Sequence, residues 1–253
     1  MPDYDSLQIY INSKYADQFL DNTNANILVN TPYITVPNGH YIHLSIINAT
    51  IPYSFYTVNS RNNGIQINSI PTVGISPAGF YTIPNGCYNS NQLASTLTAL
   101  IPNMTVTYNN ILNIFIFTCT TTDFIIDITF TTANELLGLS SNNLYNTSIN
   151  KILRSYTLIN LSTVRTINII CNYNTGNINI LENNFYNTLC SIPVLSPPYS
   201  LITYTNPNNY SSNLYISEFN NISLKLVDQD GNQINLNGQY FNLTLQIDVL
   251  KFT

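Results

Sequence analysis

Residues Phe241–Phe252, FNLTLQIDVLKF, decide the fold class. Phe241, Leu243, Leu245, Ile247 and Val249 recur at every second position, and Asn242, Thr244, Gln246 and Asp248 fill the places between them. A period of two puts the first set on one side of an extended chain and the second set on the other, so the segment reads as a half-buried β-strand. Just upstream, Ile222, Leu224 and Leu226 repeat the alternation. The two runs are predicted to form a terminal hairpin whose strands, between Ile222 and Val249, face one core.

The same signal continues toward the N-terminus. Ser6–Asn12, Tyr41–Ile51, Met104–Asn110, Ile111–Thr118, Phe124–Phe130, Thr166–Tyr173 and Asn221–Asp228 are short runs rich in Ile, Val, Thr, Tyr and Phe, separated by Asn, Gly and Pro clusters. Helical periodicity is confined to two places. In CYNSNQLASTLTALIP, Ser90 is the expected cap of a helix carrying Leu93, Leu97 and Leu100, and Pro102 ends it. In TANELLGLS, Thr132 and Glu135 make a candidate capping box and Gly138 a candidate stop, enough for one or two turns. No βαβ alternation and no repeat period is present. The expected class is all-β, an antiparallel β-sandwich with one short inserted helix, residues 1–253 forming one domain. Residues up to about 40 read as an N-terminal extension, and the Pro- and Asn-rich stretch Ile192–Asn213 as a long surface loop docked on the body.

Composition narrows the function. Charged residues make up 8% of the chain, against about 25% in an ordinary soluble domain, while 44% of residues are hydrophobic. The chain therefore folds, with neutral Asn, Ser, Thr and Tyr covering its surface. A dilute monomer normally keeps mixed charge to resist association, so such a surface suits an assembling protein; an A+T-rich genome accounts for the Asn and Ile content equally well. Seven Lys and Arg against a net charge of −5 exclude the clustered cations of a direct nucleic-acid binder. The first residues lack the charged and apolar regions of a signal peptide, and no apolar run reaches membrane-spanning length. Cytosolic synthesis and no membrane span are expected. Without a secretory route the seven Asn-x-Ser/Thr sequons, at Asn48, Asn103, Asn146, Asn160, Asn209, Asn221 and Asn242, have no reading as glycosylation sites.

Candidate chemistry is sparse, and the expected catalytic, cofactor and metal sites are none. His40 and His43 are the two histidines, and three residues apart on a strand they face opposite sides of a sheet. The three glutamates, Glu135, Glu182 and Glu218, are scattered. Cys87, Cys119, Cys171 and Cys190 form no CxxC pair and are expected to be free thiols. Asp228, Asp230 and Asn232 in VDQDGNQINLNG offer oxygens at alternate positions, as a calcium loop does. Gly231 is fourth instead of sixth, however, and the twelfth residue, Gln239, is neutral. An Asp-Gly turn joining two strands is the expected reading.

Three segments carry a family resemblance. They are NATIPYSFYTVNSRNN (Asn48–Asn63), GFYTIPNGCYNSNQLASTLTALIPNMTVTYNNILNIFIFT (Gly79–Thr118) and ISLKLVDQDGNQINLNGQYFNLTLQI (Ile222–Ile247). In order and spacing they resemble the penton, or minor capsid, proteins of polinton-like viruses, virophages and related large eukaryotic DNA viruses. The resemblance covers about four-fifths of the chain. It implies a single jelly roll and a non-enzymatic structural protein of the virion, assembled in the host cytoplasm or virus factory. It further implies homopentamers at the fivefold vertices of an icosahedral capsid, in contact with the major capsid protein and other minor capsid proteins. The competing class is a carbohydrate-binding or adhesin-like sandwich, for which exposed Tyr and Asn are suited; the absence of Trp and of an export signal weighs against it.

Overall fold

The computed structural model describes residues 6–69, 77–139, 145–173, 178–181, 184–207 and 209–252. Where the sequence reading took one domain, the contacts divide the chain into two compact units: Met1–Phe55 with Val164–Thr253, and Tyr56–Thr163. In chain order the first unit begins with β1 (Ser6–Asn12), β2 (Gln18–Phe19), β3 (Asn26–Thr35) and β4 (His40–Pro52). The second contains β5 (Gly64–Ser69), β6 (Gly79–Thr82), α1 (Ser90–Leu100), β7 (Met104–Asn109), β8 (Ile114–Cys119), β9 (Phe124–Asp127), β10 (Tyr145–Thr147) and β11 (Ile152–Arg154). The first unit resumes with β12 (Thr166–Cys171), β13 (Ile178–Leu181), β14 (Asn184–Pro193), β15 (Leu201–Thr205), β16 (Ser212–Leu214), β17 (Glu218–Val227) and β18 (Asn242–Lys251).

In the first unit one sheet runs β1-β18-β4-β15, with β16 also on β4, and the other runs β13-β14-β12-β17-β3-β2. Taking β1, β3, β4, β12, β14, β15, β17 and β18 as strands one to eight, the first sheet reads one-eight-three-six and the second five-four-seven-two. That order is a jelly roll: consecutive strands change sheet at every step but one. The inward residues of both sheets, among them Ile42, Leu44, Leu243 and Leu245 from one and Ile167, Ile169, Ile222 and Leu224 from the other, form a single core. The second unit is inserted between the third and fourth jelly-roll strands.

Three expectations change. The N-terminal 40 residues supply the first two jelly-roll strands, so they are not an extension. Within Ile192–Asn213, Leu201–Thr205 is the sixth strand, paired with Asn48–Pro52. Its alternation is present in the sequence, with Ile202 buried between exposed Leu201 and Thr203, but five residues flanked by proline read as loop. Finally, β17 and β18 face one core as expected but do not pair with each other. β17 lies between β12 and β3, and β18 between β1 and β4. The turn at Asp228 is local, and residues 234–241 then carry the chain across to the other sheet.

Several hydrogen bonds hold the turn and the crossing. The Asp228 carboxylate accepts from the N–H groups of Asp230 (3.0 Å) and Asn232 (2.8 Å), and Gly231 has φ +78°, a conformation that glycine adopts without strain. Ser54 donates to the Leu236 carbonyl and Asn237 donates to the Ser54 carbonyl. Asp21 accepts from Gln233 Nε2, Thr23 N–H and hydroxyl, and Asn26 Nδ2. Burial works to raise the Asp21 pKa, but the donors from Gln233, Thr23 and Asn26 outweigh it and lower it to about 2.

Strand β4 contains a bulge. Thr244 pairs with Asn48 and Leu245 with Ile46, so Ile47 is the extra residue, and its carbonyl accepts from the Asn206 N–H. The bulge resets parity: Ile42, Leu44 and Ile46 point inward before it, Ala49 and Ile51 after it. Opposite it, Thr244 is buried, its hydroxyl donating to Asn48 Oδ1 at 3.0 Å, although its place in the alternation marks it as a surface residue.

The second unit pairs β10-β9-β5-β6 and β11-β8-β7 around a core of Ile65, Ile67, Phe115, Phe117, Phe124 and the α1 residues Leu93 and Leu97. Asn89, one residue before the expected Ser90, caps α1. Asn89 has a glutamine three residues on, so Gln92 and Asn89 exchange side-chain-to-backbone bonds in both directions; Ser90 has Leu93 there. Thr132 does not cap, because its hydroxyl accepts from the Gly64 N–H. The segment after it makes one turn, closed by Leu139 N–H to Asn134 O and Gly138 N–H to Glu135 O, with Gly138 at φ +65°; Ser140 lies outside the described residues. The predicted strand Ile111–Thr118 starts only at Ile114, since Asn109 Oδ1 accepts from the N–H groups of Ile111 and Leu112 and turns the chain.

Two outcomes follow from this packing. Leu245→Asp places an unpaired charge where a fully buried leucine sits, at a cost of several kcal/mol that rivals about 5–15 kcal/mol of total domain stability. Circular dichroism is expected to show loss of cooperative melting, whereas Asn242→Asp, on an exposed position, should melt as wild type. For Asp21, a folded-state pKa of about 2 against an unfolded value near about 3.9 means a stabilising contribution that is full above pH ~4 and lost as pH falls toward ~2. The melting temperature of wild type should fall more steeply over that window than that of Asp21→Asn.

Candidate assembly surface

The outward face of the β1-β18-β4 sheet carries a row of polar side chains. The Tyr10 hydroxyl donates to Gln8 Oε1 (3.2 Å), Gln8 Nε2 to Gln246 Oε1 (3.4 Å), and Gln246 Nε2 to both oxygens of Asp248 (3.1 Å). Asp248 Oδ2 is 3.5 Å from His43 Nδ1, and His43 Nε2 is 2.6 Å from Ser211 Oγ. The row crosses from β1 to the segment before β16. Sequence reasoning had no signal for it, because Ser211 and His43 are 168 residues apart.

Ser211, His43 and Asp248 are the residue types of a nucleophile, base and orienting acid. The chemistry needs the base held by a hydrogen bond from its second nitrogen. At 3.5 Å the His43–Asp248 contact is beyond that range, and the carboxylate already accepts from Gln246. The Ser211–His43 bond fastens the segment before β16 to β4. His40, whose Nδ1 lies 3.2 Å from the Asn38 carbonyl, belongs to the Asn38-Gly39 turn and does not join the trio.

The remaining candidates stay apart. Glu218 accepts from the Tyr33 hydroxyl at 2.7 Å, Glu135 lies in the turn closed at Gly138, and Glu182 falls outside the described residues. Among the described residues no three His, Cys, Asp or Glu side chains gather as a metal site would require, and no helix is long and apolar enough to cross a membrane. None of the four cysteines is in a disulfide. Burial pushes Cys190 up to about 12 and Cys171 up to about 11, which keeps both protonated and unreactive at neutral pH.

Large apolar side chains lie open on both units. In the first, Tyr41, Tyr215 and Phe252 form a three-ring cluster with centroids 5.3–5.9 Å apart; Tyr215 is 70% and Phe252 50% exposed. In the second, the β7–β8 hairpin tip holds Ile111 at 89% exposure, fixed there by the Asn109 turn and by Asn113 at φ +53°. The three rings make an exposed apolar cluster, whereas a single exposed side chain such as Ile111 is ordinary on a protein surface.

No protein-family profile matches the sequence, and no curated protein matches it. Among solved structures the chain is similar to the crystal structure of the mavirus penton protein, at 13% identity and a TM-score of 0.50 over 97% of this chain and 99% of that one. It also aligns with a chain of the Sputnik virophage structure determined by cryo-electron microscopy, at 14% identity and a TM-score of 0.45 over 96% and 98%. At this level of identity fold is what is shared: the chain has the all-β jelly-roll fold of the mavirus penton protein.

Proposed function

We propose that this chain is a structural, non-enzymatic virion protein, a penton that forms homopentamers at the fivefold vertices of an icosahedral capsid and contacts neighbouring major and minor capsid proteins there. The observation that carries the reading is the likeness to the mavirus penton protein over nearly the whole of both chains. The coverage means that it includes the inserted unit as well as the jelly roll. The neutral surface supports it: with 8% charged residues little electrostatic repulsion opposes packing of one copy against another. So do the exposed apolar side chains, which suit burial in intersubunit contacts. The Tyr41, Tyr215 and Phe252 rings favour a second reading, a glycan-binding sandwich, because exposed rings stack on sugars as well as on protein.

Negative-stain electron microscopy and native mass spectrometry of the purified protein separate the two. We expect fivefold rings with five times the 28.4 kDa chain mass. A monodisperse monomer that is retained on immobilised glycans would transfer the assignment to the second reading.

A further inference from the structure

Free sheet edges invite pairing with other chains, and folded monomers blunt them with short strands, charge, proline, bulges or a cover. Most edges among the described residues are blunted. β2 has two residues, β10, β11 and β16 three each, and β6 and β13 four. The six-residue edge strand β7 is covered by α1: the Thr98 hydroxyl accepts from the Val106 N–H (2.8 Å) and donates to the Val106 carbonyl (3.2 Å).

Among the described residues β1 has none of these devices. It is seven residues long, SLQIYIN, with no charge and no proline, and it pairs with β18 in unbroken register from Ser6↔Asp248 to Asn12↔Asn242. No strand among the described residues lies on its other side. Its inward side chains Leu7 and Ile9 pack against the core yet stay only partly buried, so the core is incompletely covered along this edge. The opposite edge of the same sheet is β15, LITYT, also uncharged, with Tyr204 likewise partly buried against the core and the Leu201 carbonyl accepting from the Ser196 hydroxyl.

Strand polarity makes these two edges complementary. β1 is antiparallel to β18, β18 to β4 and β4 to β15, so β1 and β15 run in opposite directions. A second copy set alongside in the same sense therefore brings its β15 antiparallel to β1, the sense in which every strand pair of the fold already runs. The contact joins unlike surfaces, and repeated with a closing rotation it generates a ring.

We infer that the β1 edge is an assembly site whose occupant is a second copy of this chain, pairing its β15 edge along Ser6–Asn12 and covering Leu7 and Ile9. The inference rests on the self-assembling reading above and names the surface that joins the copies.

Ile9→Lys tests it. At an open edge a lysine stem lies along the sheet while its ammonium reaches water, but a neighbouring strand would bury that charge without a partner. Because Ile9 packs against the core, the variant is expected to melt cooperatively but at a lower temperature than wild type, and below that temperature to need about 100-fold or more higher concentration to form rings. Hydrogen exchange on the wild-type chain gives a readout that survives a misfolded variant: amides of residues 6–12 and 201–205 should exchange more slowly in rings than in dissociated chains. Rings that persist in Ile9→Lys, or β1 amides that exchange equally in both states, overturn the edge pairing and leave the capsid reading standing. A wild-type chain that stays monomeric at every concentration overturns self-pairing together with the pentamer. Protection of β1 that appears only on mixing with a different capsid protein overturns the choice of partner.

Discussion

The fold depends on one insertion: the last strand, β18, lies between the first, β1, and the third long strand, β4. Ten residues of β18 pair with β4 across the Ile47 bulge, and seven pair with β1 on the other side. Leu243, Leu245 and Ile247 then reach the core opposite Ile222, Leu224 and Leu226. Burying each of these side chains is worth about 2 kcal/mol. Because the partners come from the two ends of the chain, the sheet is complete only when the whole jelly roll is in place, and loss of β18 removes the middle of one layer.

That closure explains how a unit of 108 residues, Tyr56–Thr163, sits within one connection. The third and fourth long strands belong to different sheets, so the chain between them has to leave the sandwich in any case. An insertion there breaks no ladder, and a connection lengthens at little entropic cost. The unit has its own core and its own means of hiding an edge, with α1 laid over β7. The opening turn, Asn59 to Asn63, is organised by side-chain amides: Asn62 Oδ1 accepts from the Asn59 N–H and Asn59 Oδ1 from the Arg61 N–H. Here the abundant asparagines do the structural job that Gly or Asp does elsewhere.

The surface follows a different logic from the core. Charge is sparse, so the exposed rings and the aliphatic hairpin tip would meet a neighbour with little electrostatic penalty. An ordinary monomer with that surface risks uncontrolled association. A protein built to join copies of itself needs the association, and geometry has to set its direction.

Alternation by itself determined the class. Phe241–Val249, Ile222–Leu226 and Ser6–Asn12 could only be half-buried strands, and Leu93, Leu97 and Leu100 a helix, because the period of apolar residues is a local property of the chain. The Asp228 turn was legible for the same reason, since its carboxylate bonds its own backbone. Three things were settled only in three dimensions. One is which strands pair: β17 and β18 look like a hairpin in sequence, and the 234–241 crossing that sends them to opposite sheets has no periodic signature. Another is the burial of Thr244, decided by a bulge in a distant strand. The last is the polar row from Tyr10 to Ser211 and the open edge beside it, which exist because β1, β18, β4 and β16 lie side by side. Period fixes which face of a strand is apolar; partner and register are set by long-range burial, which a local pattern does not encode.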